Sequence, residues 1–337
     1  IGVNYQTIGR VGQQLGADLY LGPIYTWGTI GGRTDFYMWK PVFLDYSYNF
    51  AVRNFRHGSF GNITKIDNTR QVKNSESFFS VAAGMPLAHR GVFLIRANGG
   101  HVNYRYDSDE LFADDTDHSR YSFFGIKAEL ARNTLDKFLY PRRGSDLKLS
   151  GIFVTGRDKY EPFDAEKFLS RTSRQWVGAR LTWDKYFDMP GCSWFSLGLN
   201  VDGVITNHPE FTTEGATVMS MPAYEPVPHA QMIYMPDFRG KRFAAGGVMP
   251  TFDLMPNFFL RTGFYAMFRE KRSFVPGVSG PVEDKRWHYI AEASLVYHTP
   301  IGPVSLALTK YDLRNWKNMY LTFNFGYAIF APKGTFY

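Results

Sequence analysis

Leu321-Thr322-Phe323-Asn324-Phe325-Gly326-Tyr327-Ala328-Ile329 alternates without a break. Successive side chains of an extended chain point to opposite faces. Leu321, Phe323, Phe325, Tyr327 and Ile329 therefore share one face, and Thr322, Asn324, Gly326 and Ala328 share the other. The first face is apolar and rich in aromatics, while the second is small or polar. A strand of this kind separates an oily medium from a wet one, and at this position it reads as a closing strand.

The same two-residue period recurs toward the start of the chain. Val304, Leu306 and Leu308 alternate with Ser305, Ala307 and Thr309, and Phe195, Leu197, Leu199, Val201 and Ile205 alternate with Ser196, Gly198, Asn200 and Asp202. Val177, Ala179, Leu181, Trp183 and Phe187 oppose Gly178, Arg180, Thr182, Asp184 and Tyr186, with Lys185 as an interruption. Leu44, Tyr46, Tyr48, Phe50 and Val52 oppose Asp45, Ser47, Asn49, Ala51 and Arg53. About fifteen such segments of roughly 9–13 residues are expected, the length with which a tilted strand crosses a bilayer. An even total of about 16 antiparallel strands follows from closure.

Connections alternate between tight and long. Residues 85–90, 188–193 and 298–303 carry Pro or Gly and read as tight turns. Residues 54–75, 107–118, 156–173 and 206–242 read as long loops, as in outer-membrane barrels with short periplasmic turns and long outer loops. A soluble β-sandwich or propeller would also alternate. Long strands, aromatic residues near strand ends and charges confined to one face favour the transmembrane barrel. Residues 1–337 are expected to form a single all-β transmembrane barrel domain. Residues 1–7 are either its first strand or the second strand of a truncated barrel.

Composition agrees. Aromatic residues make up 17% of the 337 residues and charged ones 20%, yet mean hydropathy is negative at −0.28. No run approaches the roughly 18 apolar residues of a membrane helix, since even the stretch from Gly91 to Ile95 is soon broken. The net charge of +7 comes from Lys and Arg scattered among acids, with no basic stripe for nucleic acid. The lone Cys192 excludes an internal disulfide and a multi-cysteine metal site. A start at Ile1, without Met or an apolar signal segment, suggests a processed piece of a longer precursor.

Catalytic signals are missing. The nucleophile elbow Gly-x-Ser-x-Gly does not occur, and Gly277-Val278-Ser279-Gly280 has its first glycine one place too early and reads as a turn. The acids Asp107, Asp109, Glu110, Asp114, Asp115 and Asp117 do not have the spacing of a calcium loop and read as solvated outer-loop charge. The eight histidines are dispersed. The expectation is no enzyme activity in this chain, no cofactor and no metal.

Two local patterns are more specific: the segment from Arg132 to Gly144, with Tyr140, Pro141 and Gly144 in a turn, and Phe238-Arg239-Gly240 followed by Gly246-Gly247. These resemble the bacterial surface antigen barrel of the BamA/TamA superfamily of outer-membrane assembly and translocation proteins. There a Tyr/Phe-Pro-x-x-Gly turn precedes the ninth strand. A long loop carrying Arg-Gly then folds into the lumen, ahead of a strand that starts with paired glycines. Gly302-Pro303-Val304-Ser305-Leu306 and Phe323-Asn324-Phe325-Gly326 resemble the last two strands of that family. Phe323, Phe325, Gly326, Tyr327 and Phe330 resemble its C-terminal insertion signal.

Leu21-Gly22-Pro23-Ile24-Tyr25, Pro222-Ala223-Tyr224-Glu225-Pro226 and the stretch from Leu295 to Pro303 are similar to the barrel of patatin-linked outer-membrane proteins, especially those of Bacteroidota. The resemblance implies an upstream patatin-like phospholipase and a POTRA module. It also implies a barrel that anchors, and translocates for, that passenger. In the family's insertase the loop arginine pairs with acids on the following inner strands. Here the stretch from Phe258 to Phe268 has none, and Ala266 stands where an aspartate would, so Glu292 and Asp253 become the candidate partners of Arg239. Two rival functions remain open: an assembly and insertion factor with a weak seam between its first and last strands, and a passive porin with an unblocked lumen. Implied partners are outer-membrane lipid and lipopolysaccharide, the barrel assembly machinery during insertion, and a periplasmic passenger domain.

Overall fold

The computed structural model describes residues 2–8, 11–22, 25–37, 39–55, 72–107, 116–161, 170–189, 191–227, 230, 235–270, 286–300, 302–311, 319–326 and 333–336. Among them are fifteen strands: β1 (Gly2–Ile8), β2 (Gly12–Tyr20), β3 (Tyr25–Tyr37), β4 (Pro41–Phe55), β5 (Val72–Leu87), β6 (Gly91–Asp107), β7 (Thr116–Asn133), β8 (Gly144–Glu161), β9 (Ser170–Met189), β10 (Cys192–Thr206), β11 (Arg242–Met255), β12 (Phe258–Arg269), β13 (Trp287–Thr299), β14 (Gly302–Tyr311) and β15 (Met319–Phe325). Each pairs antiparallel with the next in one sheet ordered β1 to β15. One short helix, α1 (Glu214–Ser220), lies in the β10–β11 connection. No helix among the described residues is long and apolar enough to cross a membrane.

The alternation assigns the faces. On β5, Phe79 and Val81 are exposed on the outer face, while Glu76, Phe78, Ser80 and Ala82 are buried on the inner one. On β4, Tyr46 and Phe50 point outward, and Asn49, Ala51 and Arg53 point inward. Aromatics gather at both ends of the outer wall, with Tyr37, Trp39 and Trp194 near the tight turns and Phe268 and Trp287 near the loops. Two such belts are what interfacial anchoring requires. The core is inside the barrel, where inward side chains of β5 to β14 pack against α1 and the rest of its connection.

Strands in the middle of the sheet are longer than the alternation indicated. Residues 156–173 were expected as loop, yet β8 and β9 stay paired from Gly156↔Arg174 to Tyr160↔Ser170. Likewise Phe55 pairs with Val72, and Asp107 with Thr116. The physical reason is that alternation reports a two-sided environment, whereas the ladder depends only on backbone hydrogen bonds. Beyond the apolar band the outer face turns polar like the inner one, so the hydropathy pattern fades while the ladder continues.

Tight turns gather at one end and long connections at the other. β1 and β15 each run from the loop end toward the turn end, so they point the same way. An antiparallel closure at this seam therefore requires a strand of opposite direction between them.

Candidate functional site

The β10–β11 connection folds back into the barrel. Thr213 caps α1, its Oγ1 accepting from the Ala216 N–H at 3.4 Å. The chain then doubles on itself through a bridge between Ala223 and Arg239, with Tyr224 N–H on the Phe238 carbonyl at 2.9 Å and Gly240 N–H on the Pro222 carbonyl at 3.1 Å. This returns Arg239 to the end of α1, whose last carbonyls lack helical partners. Nη1 donates to Met219 O at 2.9 Å and to Met221 O at 3.2 Å. A cation at this position also suits the negative end of the helix dipole.

Side chains of the wall hold the connection at several points. The Asp158 carboxylate accepts from Thr212 N–H at 3.0 Å and from its hydroxyl at 2.9 Å. Tyr224 Oη donates to Asn200 Oδ1 at 2.7 Å. Arg180 pairs with Asp202 and also donates to the Ala223 carbonyl at 3.1 Å. His208 is buried against Trp176 and Phe211, and burial pushes its pKa down to about 3, so it is neutral here.

A cluster of charges lies between the β4–β5 wall and the connection. Arg53 on β4 pairs with Glu76 on β5, and Arg239 lies 4.0 Å from Glu225 of the connection. Lys333, beyond β15, binds Glu225 at 3.0 Å. Burial works against the Glu225 carboxylate, but Lys333 and Arg239 beside it hold its pKa below the ordinary value. Burial lowers the Lys333 pKa to about 8 despite the attraction of Glu225. These groups, with Tyr104 and Thr335, enclose a polar cavity of about 20 Å³, room for roughly one water.

A second closure lies at the turn end. Residues 134–143, between β7 and β8, reach across to β11–β14. Tyr140 is buried against Phe259 and Val296, and its hydroxyl donates to Ser305 Oγ at 3.0 Å. Arg142 pairs with Asp253. The Arg261 guanidinium lies 5.6 Å from the Tyr140 ring centre and 5.7 Å from that of Tyr186. Gly144 permits the return into β8: its φ is +99° and a Cβ there would come within 2.7 Å of the Thr134 carbonyl carbon.

Phe238, Arg239 and Gly240 are all buried inside the barrel. Tyr140, Pro141 and Gly144 lie in the turn-end strap. Neither candidate partner of Arg239 meets it. Asp253 is engaged by Arg142, and Glu292 accepts from Ser294 at 2.9 Å and Thr309 at 3.3 Å. Asp253 sits near the turn end of β11, about 36 Å along the strand from its start at Arg242 at roughly 3.3 Å per residue. Glu225 lies on the same connection as Arg239 and takes the role instead.

Gly246 and Gly247 do not start their strand, because β11 is already paired from Arg242 onward. Gly247 leaves space for the Tyr265 ring, since a Cβ there would come within 2.9 Å of Cε1. Phe323 and Phe325 are exposed on the outer face of β15, and Gly326 follows with φ +80°. Tyr327 and Phe330 lie outside the described residues, as do most of the outer-loop acids and Gly277-Val278-Ser279-Gly280.

Sequence reasoning did not single out Glu76, Glu225, Arg261 or Lys333. The available signal was a charge at an inward position of a strand, which applies to Glu76 and Arg261. Glu225 and Lys333 stand in irregular segments where no period marks direction.

The sequence matches no family model and no curated protein. The structure is similar to BamA from Haemophilus ducreyi, a form lacking POTRA domains 1-3, with a TM-score of 0.61 and 12% identity over 95% of this chain and 68% of that one. CdiB from Acinetobacter baumannii gives 0.48 and 9%, covering 90% of this chain and 50% of its own. BauA, the ferric preacinetobactin receptor of the same organism, gives 0.45 and 8%, over 92% and 51%. The likeness to BamA shows the fold of an outer-membrane β-barrel.

Proposed function

We propose that this chain is the membrane module of a polypeptide-handling outer-membrane protein, anchoring and translocating for an N-terminal passenger. By sequence resemblance, that passenger is a patatin-like phospholipase joined through a POTRA module. The observation that carries this reading is the filled lumen. Arg239 holds the β10–β11 connection inside, and the strap with Tyr140 covers the turn end. A diffusive porin of this strand number keeps an aqueous channel, and this interior is packed instead. The chain itself contributes anchorage and insertion, using the aromatic faces of β15 and its neighbours.

A second reading, an assembly and insertion factor, draws support from the seam. β1 and β15 have only 7 residues each, so both edges carry few ladder bonds, and an opposite-running strand fits between them.

The two readings separate on the protein isolated at its natural length from outer membranes. Intact mass and N-terminal peptides that reveal a Gly-x-Ser-x-Gly hydrolase, together with phospholipase turnover lost on replacing that serine, support the first reading. Tandem POTRA modules, together with faster folding of a denatured porin in liposomes containing the protein, support the second and contradict the first.

A further inference from the structure

Residues 333–336, which follow β15 in the chain, are inside the barrel. Gly326 N–H closes onto the Pro303 carbonyl at 2.9 Å at the turn end, and residues 333–336 lie in the lumen. Contacts reach them from the loop and the wall. Lys333 Nζ meets both carboxylate oxygens of Glu225, at 3.1 and 3.0 Å. Gly334 N–H donates to Glu76 Oε2 at 2.9 Å, and its carbonyl accepts from Asn98 Nδ2 at 2.8 Å. Glu76 and Asn98 are themselves 5% and 2% exposed.

Beneath the glycine lie two rings. A Cβ on Gly334 would come within 2.6 Å of Phe123 Cζ and 2.9 Å of Phe78 Cδ1, so no side chain fits unless the rings move. Phe336 follows with its ring 5.8 Å from the Lys127 ammonium. Both backbone polar groups of one residue are satisfied by buried side chains, a cation meets a buried acid, and the floor rejects any side chain. A buried hydrogen-bonding group is costly when left unpaired, so this arrangement discriminates among ligands by sequence as well as by shape.

We infer that the lumen wall carries a peptide-binding site, built by Glu76, Phe78, Asn98, Phe123 and Glu225, for an extended Lys-Gly-x-aromatic segment. Residues 333–336 fill it in cis. Occupancy joins the β10–β11 connection, through Glu225, to β5 and β6, through Glu76 and Asn98, so the segment works as a clamp on the lumen filling. An empty site removes this tie on the connection and leaves the contacts of Asp158, Asn200 and Arg180.

The test uses the whole chain in liposomes and a fluorescent heptapeptide Ala-Pro-Lys-Gly-Thr-Phe-Tyr. Gly334→Leu evicts the segment without altering any strand of the wall, so heat-modifiable migration on gels should show an intact barrel. The expected result is saturable peptide binding to Gly334→Leu, at least about tenfold weaker binding to the native chain, a difference of about 1.4 kcal/mol, and none for a peptide with leucine in place of its glycine. Asn98→Ala removes a donor of the site itself, so adding it to Gly334→Leu should weaken peptide binding. Channel conductance should rise in Gly334→Leu and fall again when the peptide is added. Equal peptide binding by the native and Gly334→Leu chains, or binding by neither, overturns the site. Conductance in Gly334→Leu equal to that of the native chain overturns the clamp.

Discussion

The barrel is closed at its two ends by different chemistry. The β10–β11 connection adds to its apolar packing a set of charged links, with Arg239 on the carbonyls of α1 and beside Glu225, Asp158 on Thr212, and Lys333 on Glu225. The strap of residues 134–143 is anchored by an aromatic ring, Tyr140, packed on Phe259 and Val296 with its hydroxyl on Ser305, and by a single ion pair, Arg142 with Asp253. A buried charge network loses heavily when one member is removed, because the remaining members keep their desolvation cost. A packed ring is tolerant of small changes and sensitive to truncation. The loop-end filling is thus the closure with polar links that can be exchanged, and the turn-end strap is the more static one.

Substitutions at the two ends sharpen the contrast. Arg239→Ala should have the largest effect, about 3–5 kcal/mol, seen as earlier thermal unfolding and as protease cleavage within the β10–β11 connection. A native cleavage pattern would mean that charge is not what holds it. Tyr140→Ala should cost about 3 kcal/mol and leave Arg261 stacked on Tyr186 alone, while cleavage of the β10–β11 connection stays at the native level. If both closures loosen together, they form one unit and the contrast fails. Gly247→Ala drives a methyl into the Tyr265 ring and should cost about 1–3 kcal/mol, measured as a lowered unfolding midpoint in detergent. Tyr140→Phe keeps the ring and loses only the bond to Ser305, so about 0.5–1.5 kcal/mol is expected.

Faces were legible in the sequence because a bilayer on one side and a polar interior on the other write a two-residue period into every crossing. Leu44 to Arg53 and Val177 to Phe187 are placed as that period assigns them, and even the interruption at Lys185 stays on the outer side, with its ammonium 5.3 Å from the Phe187 ring centre. Strand ends were not legible where Arg157, Asp158 and Lys159 pair with Ser173, Thr172 and Arg171, because polar residues occupy both faces there and the buried Asp158 serves the connection inside.

Arg239 was visible through its motif, but its partner was not. Long-range pairing of an arginine in an irregular segment has no local signature, and the choice of Glu292 or Asp253 assumed that the acid would come from a strand. Glu225, on the same connection, is brought near by the doubling back at Ala223↔Arg239. Gly247 shows the converse: the residue was identified, yet its use, space for a ring on the neighbouring strand, belongs to cross-strand register and becomes visible only once Gly247 is set opposite Tyr265.

The central claim is that the lumen is filled by the chain's own segments. Single-channel conductance in planar bilayers tests it most directly, comparing the native protein with a form in which residues 208–240 are replaced by a short Gly-Ser linker. The account predicts little conductance for the native protein and at least about tenfold more for the replaced form, since a barrel of this size without its filling encloses an aqueous channel. A native protein that already conducts as an open pore, with no increase on replacement, would contradict it.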